Sequence, residues 1–172
     1  LRLLNVTAGV GGRSYMAFAK VPRALQEFCQ WLNNERQQVN TADVLSVYRL
    51  SFLAHYRLVT IHPWADGNGR MARLVMNMIQ WEYNLIPVKV LKEQKAEYIQ
   101  SLIDTREQEN ENIFVDAMLR IHQQNLSSEI AAFKASMVMD VLPNDTKDDT
   151  KQLTDRQCFM LDLIRQDDTI TI

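Results

Sequence analysis

One stretch of the chain gathers the residue types of phosphate chemistry: His62-Pro63-Trp64-Ala65-Asp66-Gly67-Asn68-Gly69-Arg70-Met71-Ala72-Arg73. An imidazole such as His62 accepts a proton near neutral pH. Asp66 offers a hard oxygen of the kind that Mg²⁺ carried by a polyphosphate takes. Gly67 and Gly69 allow backbone conformations closed to other residues and let a ligand come close. Successive N–H groups in such a turn form an anion-binding nest. A helix expected to start near Arg70 adds its own unpaired N–H groups and the positive end of its dipole. Arg70 and Arg73 project from one face of that helix's first turn. Cations are disfavoured there, so an anion is the partner that would explain them. Taken singly, turn glycines and exposed arginines are ordinary. Taken together and in this order they describe phosphoryl or nucleotidyl transfer, with His62 catalytic, Asp66 on the metal and Gly67, Asn68, Gly69, Arg70 and Arg73 on the phosphates. No G-x-x-x-x-G-K-[ST] loop occurs anywhere in the sequence.

The elements around this stretch must bring its two ends together. Ala42 to Ile61 is apolar around most of a helical circumference, which predicts a central helix with Thr41 as its N-cap. Pro63 pushes the residue before it out of the helical region, so His62 falls at a helix end and at the mouth of a loop. Pro22 suits a helix start, and Leu25, Phe28, Cys29 and Leu32 form one apolar stripe running to about Glu35. After the motif, a helix is expected from Arg70 to Tyr83, ended by Asn84 and Pro87. Lys92 to about Arg106 reads as a further helix with Tyr98 and Leu102 inward, and Asn112 to Val141 as one long helix or two. His55 and His122 lack metal-pair spacing and read as hydrogen-bonded core residues. Residues 1–21 are the least helical: Ala8 to Gly12 is turn-rich, and Ser14 to Val21 is aromatic and β-branched enough for strands of a hairpin. The expected class is all-α with one small β-hairpin.

The motif resembles the signature of Fic-domain proteins, His-Pro-Phe-x-Asp/Glu-Gly-Asn-Gly-Arg-x-x-Arg, with Trp64 in the place of Phe. That resemblance covers about residues 6–140 and is specific at 62–73. It implies a helical bundle and a protein adenylyltransferase that moves AMP from Mg²⁺·ATP to a Ser, Thr or Tyr hydroxyl of a target protein. His62 would be the base and Asp66 the Mg²⁺ ligand. Asn68 would fix the loop and orient the α-phosphate, Arg70 would hold the β-phosphate and Arg73 the γ-phosphate. The hairpin at Ser14, Tyr15, Met16, Ala17 and Phe18 would be the flap that holds the target segment. In the family a tyrosine pair lines the nucleotide site; here it is Tyr98-Ile99, and Arg106 stands where the family has asparagine. These departures keep a phosphotransferase or another nucleotidyltransferase open as alternatives. Thr105 to Asn110 matches the letters of the family's inhibitory pattern, Ser/Thr-x-x-x-Glu-Gly/Asn, but lies at a helix-to-loop junction and reads as a chance match. A homodimer is an expectation of the resemblance alone.

The chain has 172 residues and is 47% hydrophobic, which suits one domain with an appendage and excludes wholesale disorder. A formal net charge of −2 gives no global field for nucleic acid. Cys29 and Cys158 are far apart on apolar helix faces and read as buried thiols of a reducing, cytoplasmic setting. No apolar run is long enough to span a membrane. The domain is expected over 1–142, followed by a polar linker at 143–152. Residues 153–172 open on a capping-box pattern at Thr154 and resemble the first helix of a winged-helix module, the one route by which DNA would become a partner. A regulatory DNA-binding protein is therefore a third reading. The first residue is Leu1, so the sequence is expected to be a fragment lacking an N-terminal part.

Overall fold

A computed structural model describes residues 1–7 and 14–141 of the chain. Five helices follow one another: α1 (Val21–Gln38), α2 (Val44–Ile61), α3 (Asn68–Glu82), α4 (Lys95–Glu107) and α5 (Glu111–Val141), with short 3-10 turns at Phe18–Lys20 and Lys92–Gln94. The chain divides into two compact units, Leu1–Ala132 and Phe133–Ile172. The described part of the second is the end of α5. The expected linker at 143–152, the expected module at 153–172, the Ala8–Gly12 turn run and Cys158 lie outside the described residues.

Helix α2 is the centre of the first unit, as its all-round apolarity requires. One side of it, through Tyr48, Phe52 and Tyr56, packs with Met76, Val88, Tyr98, Phe114, Val115, Met118 and Ile121. Its other side, through Leu50, Ala54, Leu58 and Ile61, packs with Val21 and Phe28 of α1 and Ala72 and Ile79 of α3. A helix buried on both sides cannot turn or slide without breaking one core, so the position of its last residue is fixed. Two of the buried polar side chains, Gln80 and Ser51, pair with each other, as burial demands. Gln80 donates to Ser51 Oγ at 2.8 Å and accepts from the Val88 N–H at 2.8 Å, which ties α3 to α2 and to the strand-like return after Asn84. Asn84 itself takes a left-handed φ of 55°, the expected reversal at the end of α3.

Four expectations are corrected. The cap of α2 is Asp43, whose side chain accepts from the Leu45 N–H at 3.1 Å; Thr41 lies in the preceding turn. Helix α3 opens at Asn68, two residues earlier than expected, because Gly67 provides the left-handed entry. Cys29 is exposed, since the buried stripe of α1 runs through Val21, Leu25, Phe28 and Leu32 and leaves residue 29 beside it. Among the described residues no strand forms: Thr7 and Ser14 make one antiparallel bridge, Tyr15 N–H donates to Val6 O at 3.0 Å, and Phe18 already begins a 3-10 turn. The turn is closed by Phe18 N–H donating to Asn5 Oδ1 at 2.9 Å, so the chain curls into α1 before a second rung can be added.

His55 and His122 are core residues. His55 is fully buried, stacks on Phe114 and meets the Tyr98 hydroxyl through Nε2 at 3.1 Å; His122 meets the Tyr48 hydroxyl at 2.8 Å. Burial first, and the Arg73 charge second, hold the His55 imidazole down to about 3, well below its ordinary 6.5. The unfolded chain therefore binds a proton at His55 that the folded chain refuses. Stability is expected to be full above about pH 6.5 and to fall by about 1.4 kcal/mol per pH unit as pH drops below it. Urea unfolding at a series of pH values between neutral and mildly acidic checks this, and a flat stability across that range would contradict it.

Candidate active site

The sequence brings the site together at one helix end and one helix start. His62 caps α2 in the left-handed conformation, φ 53° and ψ 59°, with its N–H still bonded to Leu58 O at 3.2 Å. Pro63 forbids continuation of the helix, and the left-handed turn swings the chain away at once. The imidazole is half-buried. Its Nδ1 lies 3.3 Å from the Val59 carbonyl. A carbonyl only accepts, so that ring nitrogen carries the proton and Nε2 keeps a free lone pair, as a general base needs. Burial is the main cause that holds His62 below its ordinary 6.5; the Val59 bond opposes it and the Arg2 charge adds to it. The ring is therefore neutral at neutral pH. Tyr15 stacks on it, with centroids 3.7 Å apart and planes 21° from parallel.

The loop is held by Asn68. Its side chain accepts from Trp64 N–H at 2.9 Å and donates to Trp64 O at 2.8 Å, and it is only 3% exposed. With both ends of the amide occupied by Trp64, this side chain is a staple of the loop, and only its backbone N–H faces the helix start. Trp64 packs against the α1–α2–α3 core. Gly67 takes φ 82°, where any side chain is strained. Gly69 does not: it is helical, and a Cβ there would touch Arg73 at an ordinary 3.5 Å. Only one of the two glycines is thus conformationally required. The first intrahelical bond of α3 is Met71 N–H to Gly67 O at 2.9 Å, so the N–H groups of Asn68, Gly69 and Arg70 have no partner within the helix. Those three are the donors that an anion at this helix start would take.

His62, Ala65, Asp66, Gly67, Asn68, Gly69, Arg70 and Arg73 line one cleft of about 280 Å³. That is smaller than pockets that enclose a whole drug-sized ligand and suits a chain of phosphates. Arg70 donates to Asp66 at 3.0 Å; both side chains are largely exposed, so the pair is weak and free to part for a ligand. Arg73 forms no ion pair with a carboxylate among the described residues. Its charge acts on Tyr98, opposing the upward push of burial on that hydroxyl, and the Tyr98 hydroxyl meets His55 Nε2 at 3.1 Å. Neutral His55 does not repel that cation.

The expected site residues thus separate into groups. The cleft unites residues 62 and 65–70 with Arg73. Tyr98, expected on the nucleotide, is 7% exposed in the core beneath Arg73 and does not line the cleft. Of the flap, Tyr15 touches the imidazole and Met16 is half-buried, whereas Ser14, Ala17 and Phe18 are exposed. Glu109, the glutamate of the chance inhibitory pattern, lines a different, polar cavity with Arg49, Tyr56 and Arg106, away from Arg73. Two contributors were missed from the sequence: His55, read as core only, and Arg2, which donates through Nε to His62 O at 2.8 Å. Arg2 had one signal, a lone charge among leucines at Leu1-Arg2-Leu3-Leu4.

Residues 3–80 match the Fic/DOC family. The Protein adenylyltransferase Fic of Drosophila sechellia is 37% identical over 89 residues, 52% of this chain and 17% of the relative. Protein adenylyltransferase fic-1 of Caenorhabditis elegans is 40% identical over 82 residues, 48% of this chain and 15% of the relative. The matches therefore span about a sixth of the curated relatives' length. Among solved structures, a fragment of Fic-1 from C. elegans superimposes with TM-score 0.61 at 29% identity, covering 79% of this chain and 38% of that one. A Fic domain containing signaling protein from Bacteroides thetaiotaomicron gives TM-score 0.52 at 25% identity, over 72% of this chain and 47% of that one.

Proposed function

We propose that this chain, whose residues 3–80 belong to the Fic/DOC family, is a protein adenylyltransferase that moves AMP from Mg²⁺·ATP to a hydroxyl of another protein. The observation that carries this reading is the shared cleft: a neutral imidazole with a free Nε2 and the start of α3 line the same small cavity. The triphosphate sits in the nest of Asn68, Gly69 and Arg70 N–H groups. Arg70 holds the β-phosphate and Arg73, which has no carboxylate partner among the described residues, the γ-phosphate. The hydroxyl oxygen of a target Ser, Thr or Tyr attacks the α-phosphorus, and His62 Nε2 takes its proton. The bond from the α-phosphorus to the bridging oxygen breaks, and pyrophosphate leaves with that electron pair. Positioning and charge stabilisation supply most of the acceleration in such transfers.

The residues fit a metal that arrives with the nucleotide. Asp66 is a single exposed carboxylate, and among the described residues no group of three or more His, Cys, Asp or Glu side chains forms a standing site. Mg²⁺ needs one or two carboxylates when phosphates complete its shell. Bound there, it would neutralise charge on the phosphates, and Asp66 would leave Arg70 to hold it. Tyr15 and Met16 present the target segment to His62. Among the described residues no helix is long and apolar enough to cross a membrane.

A pyrophosphate-release assay with ATP and a cell lysate as the source of targets tests the reading. Release that depends on Mg²⁺ is the expected result, and release of ADP in its place would favour the phosphotransferase. The pH dependence follows from the base. Transfer needs neutral His62, whose affinity for protons is depressed below its ordinary 6.5. The rate is therefore expected to hold as pH falls through 6.5 and to decline only below it, as the imidazole charges. An acid limb centred above 6.5 would contradict this environment for the ring.

A further inference from the structure

We propose that Arg2 is a positioning residue for His62, a buried guanidinium that fastens the catalytic loop and the flap to each other. The inference rests on the reading of His62 as the base. Arg2 is 5% exposed. Its Nε donates to His62 O at 2.8 Å and its backbone N–H to Pro63 O at 2.8 Å, so it holds both carbonyls of the step at which the chain turns. The two terminal nitrogens of the guanidinium reach Leu4 O at 2.9 Å and the Met16 carbonyl. A non-glycine residue in the left-handed region persists only where its surroundings over-determine it, and His62 is such a residue. Arg2 supplies that determination from the side opposite α2.

The same side chain reaches the flap. Met16, whose carbonyl it holds, follows Tyr15, whose ring lies on the His62 imidazole. The imidazole is therefore fixed at its backbone by Arg2, at Nδ1 by Val59 and on its face by a ring that Arg2 anchors one residue away. Every partner of the guanidinium is a carbonyl oxygen, and among the described residues no carboxylate pairs with it. Burying a cation without a counter-ion is costly unless its donors are all satisfied. A planar fork that serves three separate carbonyls does this, and an ammonium on a flexible stem does so poorly. The uncompensated charge also disfavours a second charge on the neighbouring imidazole. The groups that face His62 are Arg2 from the N-terminal segment, Tyr15 from the flap, Val59 O from α2, and Asp66, Arg70 and Arg73 across the cleft. Of the cations among them, Arg2 is the one that lowers its proton affinity appreciably.

The experiment compares Arg2→Met and Arg2→Lys with the wild-type chain. Neither core cluster contains a residue before Val21, so both variants are expected to fold, which thermal melting checks. The first readout is the titration of the His62 ring by NMR of isotope-labelled histidine, assigned with His62→Ala. Arg2→Met is expected to titrate at higher pH than wild type, and Arg2→Lys, which keeps the charge, close to wild type. The second is the kinetic split. Loss of the fork is expected to lower kcat for AMP transfer about tenfold or more in both variants, with KM for ATP within about twofold, because the phosphates touch other residues. An unmoved titration with unchanged kcat in Arg2→Met overturns the inference. Failure of the wild-type chain to transfer AMP would count against the adenylyltransferase reading instead, and the His62 titration would still decide the role of Arg2.

Discussion

Replacing His62 with alanine is expected to lower AMP transfer by about a thousandfold while leaving ATP binding within about twofold and the fold intact. The size follows from chemistry: a positioned base contributes about two to four orders of magnitude, and no other group in the cleft can take its place. Asp66 and Arg70 are paired with each other, and Arg73 is a cation. The fold should survive because the imidazole is half-buried and its one ring bond, to Val59 O, is long at 3.3 Å. Alanine in the left-handed conformation costs about 1 kcal/mol, much of which histidine already bears. Transfer to a target with wild-type turnover by this variant would remove His62 from the mechanism.

Asn68→Ala is expected to be the most damaging change outside the reacting groups, because it acts on stability and chemistry at once. Two hydrogen bonds to Trp64 are lost, and both Trp64 backbone groups are left unpaired beside a partly buried ring. Unsatisfied buried groups cost about 1–3 kcal/mol each, so destabilisation of about 2–6 kcal/mol is expected. The staple also sets the distance between the His62 end and the nest. A misplacement of about 1 Å costs roughly a hundredfold in rate, so kcat should fall by about that factor in the molecules that remain folded. Asn68→Asp, which keeps the acceptor and loses the donor, should fall between. Urea unfolding and single-turnover transfer measure the two effects separately; an alanine variant as stable and as fast as wild type would mean that the loop is held by something else.

The site was more legible than its supports. Residues 62–73 carry their own instructions: a proline that ends one helix, a glycine that starts the next in the left-handed region, and side chains spaced by one helical turn. These are local effects, and local effects are written in neighbouring letters. The central position of α2 was legible for the same reason, since apolarity on all sides admits only burial on both sides. What was not legible depends on contacts between distant residues. Tyr98 reads as an inward residue that the resemblance puts on the nucleotide, and Phe114 and His55 claim its ring and hydroxyl. Cys29 looked buried because its helix face was judged by spacing, whereas the width of the buried stripe is set by what packs against it. The flap looked like strands because its residues are aromatic and β-branched; a side-chain bond from Asn5 and the start of α1 turn the chain before pairing can spread. Arg2 stood out only as a lone charge among leucines, because nothing in a sequence shows that sixty residues later a carbonyl will need its guanidinium.

The most direct test of the account is to incubate the wild-type chain and His62→Ala with ATP labelled at the α-phosphate, and in parallel at the γ-phosphate, together with a lysate as the source of targets. Protein-bound α-label with wild type, no γ-label, and neither label with the variant is the predicted result. Protein-bound γ-label, or α-label of equal intensity with wild type and His62→Ala, would contradict the placing of that imidazole beside the α-phosphorus.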